Sequence, residues 1–257
     1  MSETVIREVA KDVWIFSRPF SRFGIFPVGG RSTAVKMRNG NLWVLASTPL
    51  DSETKVKLDE LGPVKYIIGA DAETGDFKKA YPEAKVVAPK AAIERVADKG
   101  LKFDGAWGSD PEGTQYGFEE DARRIFIFIV LRYLLTLTTE HQIQHCYFSG
   151  FANKDVAFFH PDSKSMIQAD LLFNLPPTEQ YSKSKSSGRL PFVGNFGPFS
   201  WFHSKFASAM GEDNELMKQH VKIVASWDFE RLIPCHGDVI EDRAKDAWKA
   251  AYKAYLN

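Results

Sequence analysis

The chain has 257 residues, and 44% of them are apolar, with 20 Phe and 6 Trp, which is enough to bury a sizeable core and excludes a disordered polypeptide. Lys plus Arg balances Asp plus Glu, 33 against 33, so a nucleic-acid coat protein or a polybasic membrane binder is excluded as well. The two cysteines, Cys146 and Cys235, are too few for a disulfide scaffold and point to a reducing, cytoplasmic setting.

The opening MSETVIREVAKDVWIF lacks a basic stretch followed by an apolar one, so no secretory signal is expected. Val5 to Val9 and Val13 to Phe16 read as short strands split by Lys11-Asp12. Thr33 to Met37 alternates, Asn39-Gly40-Asn41 is a hairpin turn, and Leu42 to Leu45 is an apolar strand. Asp51-Ser52-Glu53 then starts a helix carrying Val56, Leu58 and Leu61, which Gly62-Pro63 ends. Val64 to Ile68 is a buried-type strand, followed by a polar loop from Gly69 to Asp76 and a short helix around Phe77 to Tyr81. Lys85 to Ala88 is the next strand, and Ala91 to Lys99 reads as a helix. This alternation signals strands joined by crossovers.

Residues 100 to 122 read as loop. The apolar run Ile125 to Leu137 is ~13 residues long, holds Arg132 and Tyr133, and falls short of the ~20 residues that a membrane span needs. Further strands are expected at Cys146 to Ser149, Val156 to His160 and Ser165 to Gln168, the last two joined by a tight turn at Pro161-Asp162-Ser163. Residues 174 to 200 form a long loop; helices follow at Trp201 to Met210 and Asn214 to Trp227, then a strand at Leu232 to Pro234 and a helix at Ala244 to Leu256. No stretch has the composition of a linker, so residues 1 to 257 read as a single domain.

Three segments carry a resemblance. Tyr66-Ile67-Ile68-Gly69-Ala70-Asp71-Ala72-Glu73-Thr74-Gly75-Asp76 is a strand running into an acidic loop. Ser165 to Leu172 is a strand ending at Asp170, and Arg231 to Asp238 is a strand ending at His236. In order and spacing these resemble the metallo-β-lactamase fold, and the phrases YFSGFANKDVAFFHP, ADLLFNLPPTEQYSK and LIPCHGDVIE are similar to a largely fungal and bacterial branch with an altered metal-binding motif. The resemblance implies an αββα sandwich, two sheets face to face with helices outside. It implies a site at one edge, where the family's H-x-H-x-D-H motif falls on Asp71, Glu73, Gly75 and Asp76. It assigns the bridging aspartate to Asp170 and the last histidine to His236.

The donor chemistry departs from the family. None of the motif's three histidines is present, Gly75 has no side chain to offer, and the position of another metal-binding histidine falls on Phe151, expected in the same pocket. Asp71, Glu73, Asp76 and Asp170 with the imidazole of His236 form an oxygen-rich set that suits harder ions than a zinc pair. The resemblance therefore implies either a hydrolase of a small ester, lactone, thioester or phosphoester with one divalent ion (Mn²⁺, Fe²⁺ or Zn²⁺), or a metal-free, non-catalytic protein that binds a small ligand or a partner on the same fold. In the first, Asp76 or Asp170 holds the attacking water. Neither involves nucleic acid or membrane. Other candidates read as structural. His141 and His145 would share a face on a helix, but on a strand they stand about 13 Å apart, too far for one metal. Lys183, Lys185 and Arg189 read as a solvated loop, or as a hold for an anionic substrate.

Overall fold

The structure, a computed structural model, describes residues 3–69, 73–96, 100–119, 142–189 and 196–256. The apolar run from Ile125 to Leu137, His141 and Asp71 lie outside them. The N-terminal half opens with strands β1 (Val5–Ala10), β2 (Val13–Arg18), β3 (Ser21–Arg22), β4 (Phe26–Pro27), β5 (Gly30–Lys36) and β6 (Leu42–Ala46). Helix α1 (Ser52–Leu61), β7 (Val64–Gly69), α2 (Thr74–Ala80), β8 (Lys85–Pro89), α3 (Lys90–Arg95) and β9 (Gly105–Trp107) follow. The C-terminal half contains β10 (Gln144–Tyr147), β11 (Val156–His160), β12 (Ser165–Gln168), α4 (Trp201–Ala209), α5 (Asn214–Ser226), β13 (Arg231–Pro234), α6 (Ala244–Ala251) and α7 (Lys253–Leu256).

Among the described residues, one sheet has the order β1-β2-β5-β6-β7-β8-β9 and a second has the order β10-β11-β12-β13, while β3 and β4 pair alone. The first sheet is antiparallel up to β6 and parallel from β6 to β9. The change coincides with the switch from hairpin turns to helical connections, since parallel neighbours need a crossover. In the second sheet β12 and β13 are parallel, and α4 and α5 lie between them in the chain.

Side-chain alternation along the strands builds the layers. Ile15, Trp43, Leu45, Ile68 and Val87 of the first sheet meet Val156, Phe158, Ile167 and Ile233 of the second in one apolar cluster between the sheets. Their neighbours Phe16, Val44, Ile67 and Val86 face the other way, with Leu58 of α1 and Phe77 of α2. Likewise Phe159, Met166 and Leu232 leave the second sheet toward Met217, Val221 and Val224 of α5 and Ala247 and Trp248 of α6. Helix, sheet, sheet, helix is thus the observed order of layers, the αββα sandwich.

Local signals fix the helix starts. The Asp51 carboxylate accepts from the Thr54 N–H and caps α1, the Ser200 hydroxyl caps α4, and the Asp213 carboxylate caps α5. Within α1 it is Thr54 and Leu58, four apart, that are buried, and Val56 is exposed. Helix α3 ends at Arg95, and β9 falls in the stretch expected to be loop. No helix among the described residues is long and apolar enough to cross a membrane.

Candidate active site

A cavity of about 260 Å³ opens at one edge of the sandwich. Its wall includes Pro89 at the end of β8, Arg95 on α3, Asn153 and Asp155 ahead of β11, Asp170 after β12, and Cys235 and His236 after β13, with Arg22 from the small hairpin. The topology converges there because β12 and β13 are parallel and end on the same edge, and β11, antiparallel to β12, begins on it. In the first sheet β7 is parallel to β8, so the acidic loop after β7 departs from the edge that carries Pro89.

His236 and Asp170 come together as the sequence predicts. His236 is 7% exposed, and its Nδ1 lies 2.5 Å from the Gly29 carbonyl, which fixes the proton on Nδ1 and turns Nε2 toward Asp170. Phe20 and Phe173 stack on the imidazole at centroid distances of 5.9 and 5.3 Å and shield it from water. Nε2 stands 3.1 Å from Asp170 Oδ1, an ion-pair distance, yet Oδ1 is buried and accepts no aligned hydrogen bond among the described residues. Asp170 Oδ2 accepts from Asn153 Nδ2 at 3.0 Å and from Arg22 Nη2 at 3.4 Å, and the Asp170 N–H donates to Asp155 Oδ2 at 2.7 Å. Burial alone would raise the Asp170 pKa, but His236 and Arg22 hold it below its ordinary value. Burial would lower that of His236, and Asp170 with the Gly29 carbonyl raises it above its ordinary value.

The loop that presents His236 is held at each carbonyl. Arg31, 1% exposed, donates from Nη1 to the Pro234 and Gly237 carbonyls at 2.6 Å each, and from Nε to Ser17 Oγ at 3.0 Å. Gln180 Nε2 binds the Cys235 carbonyl, and the Asn174 N–H donates to that of His236. Glu179 balances the buried guanidinium through Oε1 at 3.3 Å and also accepts from Arg7. Burial opposes ionisation of Glu179, but Arg31, Ser17 and Arg7 keep its pKa below the ordinary value. Gly237 has φ +90°, and a Cβ there would collide with the Asn174 backbone, so glycine must follow His236.

The remaining sequence-predicted positions are placed as follows. Glu73 is the half-buried residue preceding α2, Asp76 is exposed in its first turn, and neither lines the described cavity. Among the described residues no three His, Cys, Asp or Glu side chains are grouped to hold an ion. Phe151 does not enter the pocket: it is fully buried behind the second sheet, where its bridge to Gly211 directs it among Phe148, Leu171 and Met217. His160 is structural, with Nδ1 2.8 Å from Ser163 Oγ, and Lys183 donates to the Thr4 carbonyl. Cys146 and Cys235 are buried and are not joined in a disulfide.

Asn153, Arg22, Phe20, Phe173 and the Arg31–Glu179 pair were not foreseen. Only Arg31 left a sequence trace, a charge amid the strand Gly-Arg-Ser-Thr-Ala-Val.

The donor geometry bears on a metal directly. Asp170 Oδ1 and His236 Nε2 stand at an ion-pair distance of 3.1 Å, and no third His, Cys, Asp or Glu among the described residues joins them to hold an ion. They do not make a zinc pair, since the described residues give two donors.

The fold has counterparts among solved structures. No family model matches the chain, and no curated protein matches its sequence. Solved structures do match over the full length. A metallo-β-lactamase from Pontibacter korlensis is 12% identical with a TM-score of 0.56, covering 99% of both chains. A metallo-β-lactamase from Hirschia baltica is 8% identical with a TM-score of 0.56, covering 99% of this chain and 98% of that one. The FIM-1 metallo-β-lactamase of Pseudomonas aeruginosa, in a mono-zinc form, is 11% identical with a TM-score of 0.54, covering 100% and 98%. The fold of this chain is the metallo-β-lactamase fold.

Proposed function

We propose that the chain is a hydrolase acting on a small ester, lactone, thioester or phosphoester, with a reduced, carboxylate-rich site that takes a single weakly held divalent ion. The observation that carries this reading is the meeting of Asp170 and His236, 3.1 Å apart, in an open cavity at the edge of the sandwich. When bound, a divalent ion supplies a lowered pKa for water and polarises a substrate oxygen. Asp170 and His236 would hold it. The Gly29 carbonyl keeps the His236 proton on Nδ1, Asn153 fixes the rotation of the Asp170 carboxylate, and Phe20 and Phe173 keep water off the ring. By motif position Asp71, which lies outside the described residues, is a further donor, whereas Glu73 and Asp76 stand away from the described cavity wall. An oxygen-rich set favours Mn²⁺ or Fe²⁺ over tight zinc. A count of two cysteines suits a reducing, cytoplasmic setting.

The absence of a third donor among the described residues, with Phe151 committed to the core, favours a second reading: a metal-free protein that binds a small ligand in the same cavity. Elemental analysis and thermal shift with Mn²⁺, Zn²⁺ and Mg²⁺, in the natural chain and in Asp170→Asn, separate the two. A rise in melting temperature that Asp170→Asn abolishes supports the hydrolase, which is then assayed on a thioester, a lactone and a phosphoester. Identical melting with and without every ion supports the second reading, and two zinc ions retained through dialysis contradict a reduced site.

A further inference from the structure

All the large apolar side chains exposed among the described residues, except Val56 and Ile223, fall in two short segments. Phe20, Phe23, Ile25 and Phe26 belong to the β3–β4 hairpin and its base, and Phe23 at the turn is 85% exposed. Phe199, Trp201 and Phe202 belong to the start of α4. The two segments flank one imidazole. Phe20 and Phe173 both stack on the His236 ring, and Phe173 meets Phe206 of α4 at 5.6 Å, one turn on from Phe202. The exposed rings therefore rim the edge of the sandwich on which the cavity opens. Monomeric proteins rarely leave aromatic side chains grouped in water, and such a rim marks a contact surface.

Charge says what covers it. The whole-chain balance of 33 against 33 is not even along the sequence. No Asp or Glu stands between Asp12 and Asp51, or between Glu179 and Glu212, and these are the stretches that carry the rim. Arg22 and Arg243 are balanced by Asp170 and Asp246, but Lys185, Arg189 and Lys205 are exposed and joined in no ion pair among the described residues. Lys205 extends over the Trp201 ring, 5.7 Å from its centroid. The loop of Lys185 and Arg189 lies beside the hairpin, because Gly188 packs on the Tyr181 ring and the Tyr181 hydroxyl bonds to the Phe20 carbonyl and to Ser21 Oγ. We propose that this rim docks the protein on an anionic phospholipid surface. Phe23, Ile25 and Trp201 enter the headgroup boundary, and Lys185, Arg189 and Lys205 face the lipid phosphates and carboxylates. Exposed aromatic side chains flanked by lysine and arginine suit that boundary. A second copy of the chain suits the rim less well, since a two-fold contact would set the same basic face against itself. The contact is peripheral, as no helix among the described residues is long and apolar enough to cross a membrane. The expectation of no membrane contact, drawn from charge totals, does not extend to this face. Lipid docking is independent of the hydrolase reading.

The test is cosedimentation with large vesicles of phosphatidylcholine alone and of phosphatidylcholine mixed with phosphatidylserine. The chains are the natural one, Phe23→Ser/Ile25→Ser and Lys185→Gln/Lys205→Gln, with far-UV circular dichroism confirming a common fold. The natural chain should pellet with the mixed vesicles and stay in solution with phosphatidylcholine alone. Replacing the two lysines should weaken binding to the mixed vesicles roughly thirtyfold, about fivefold for each charge. At about 0.5 M salt that gap should narrow, because the charges lie in water. The serine pair should bind at least about tenfold more weakly, since two apolar side chains no longer leave water. No pelleting of the natural chain with the mixed vesicles, or pelleting that either variant retains in full, overturns the proposal. A dimer seen by light scattering, dissolved by Phe23→Ser/Ile25→Ser and unaccompanied by lipid binding, assigns the rim to a second copy and overturns it as well. The assay reads neither ion binding nor hydrolysis, so its failure leaves the hydrolase reading standing.

Discussion

His203 gives the site a measurable acid limit. It lies in the first turn of α4, has no exposed surface, and its Nε2 accepts the Phe173 N–H at 3.0 Å. Nε2 must therefore carry a lone pair, and the ring is neutral in the native state. A proton on Nε2 would set two donors face to face and leave a charge among Phe196 and Phe206. Burial pushes the pKa of His203 down from 6.5 to about 4. The sign follows from the depressed value. Between these two pH values the unfolded chain binds the proton and the folded chain does not, so stability is intact above 6.5 and is lost as pH falls toward 4. At about 1.4 kcal/mol per pKa unit, the loss attributable to this group is about 2.5 kcal/mol at a pH near 4.5 and about 3.5 kcal/mol in full. The assay is urea denaturation at about pH 7 and pH 4.5, comparing the natural chain with His203→Gln. Gln retains an acceptor for the Phe173 N–H and does not titrate. The drop between the two pH values should be about 2.5 kcal/mol smaller in the variant. Equal drops in the two chains would refute the claim that His203 is neutral and buried in the native state. The Phe173 ring lies on His236, so protonation of His203 is also expected to loosen that imidazole.

Arg31→Met should cost about 3–5 kcal/mol in chemical denaturation, because it leaves Glu179 and the carbonyls of Pro234 and Gly237 without their buried donor. A cost under about 1 kcal/mol would show that the pair is not the brace of the His236 loop. Gly237→Ala should lose at least about 2 kcal/mol in thermal melts, since φ +90° and the Asn174 backbone both oppose a Cβ. Phe151→His should lose about 2–4 kcal/mol and leave zinc affinity unchanged in calorimetry, because the ring is packed in the core behind the second sheet; tighter zinc binding would place residue 151 at the cavity instead.

Much of the frame is written in local sequence. Alternating pairs such as Ile67 and Ile68, or Phe158 and Phe159, send one side chain between the sheets and the other under the helices, and such alternation is legible within a few residues. Caps such as Asp51 and Ser200 are equally local, since a side-chain oxygen binds an N–H two or three positions on. Family-like spacing also placed Asp170 and His236 at the ends of parallel neighbouring strands, where they meet. Local patterns fail where an element is too short to show a period, as with the three residues of β9 and the paired dipeptides of β3 and β4. They fail again for Phe151, whose place depends on a bridge to Gly211, 60 positions away by subtraction of the two residue numbers. The chemistry around the site was decided by tertiary structure alone. Arg22 and Asp170 are 148 positions apart, as are Arg31 and Glu179, and Arg31 reaches Pro234 across 203. A guanidinium or a carboxylate has the same local pattern whether it ends in water or on a buried partner. Only the route of the chain brings the partner within 3–4 Å, where Coulomb attraction offsets part of the cost of burial.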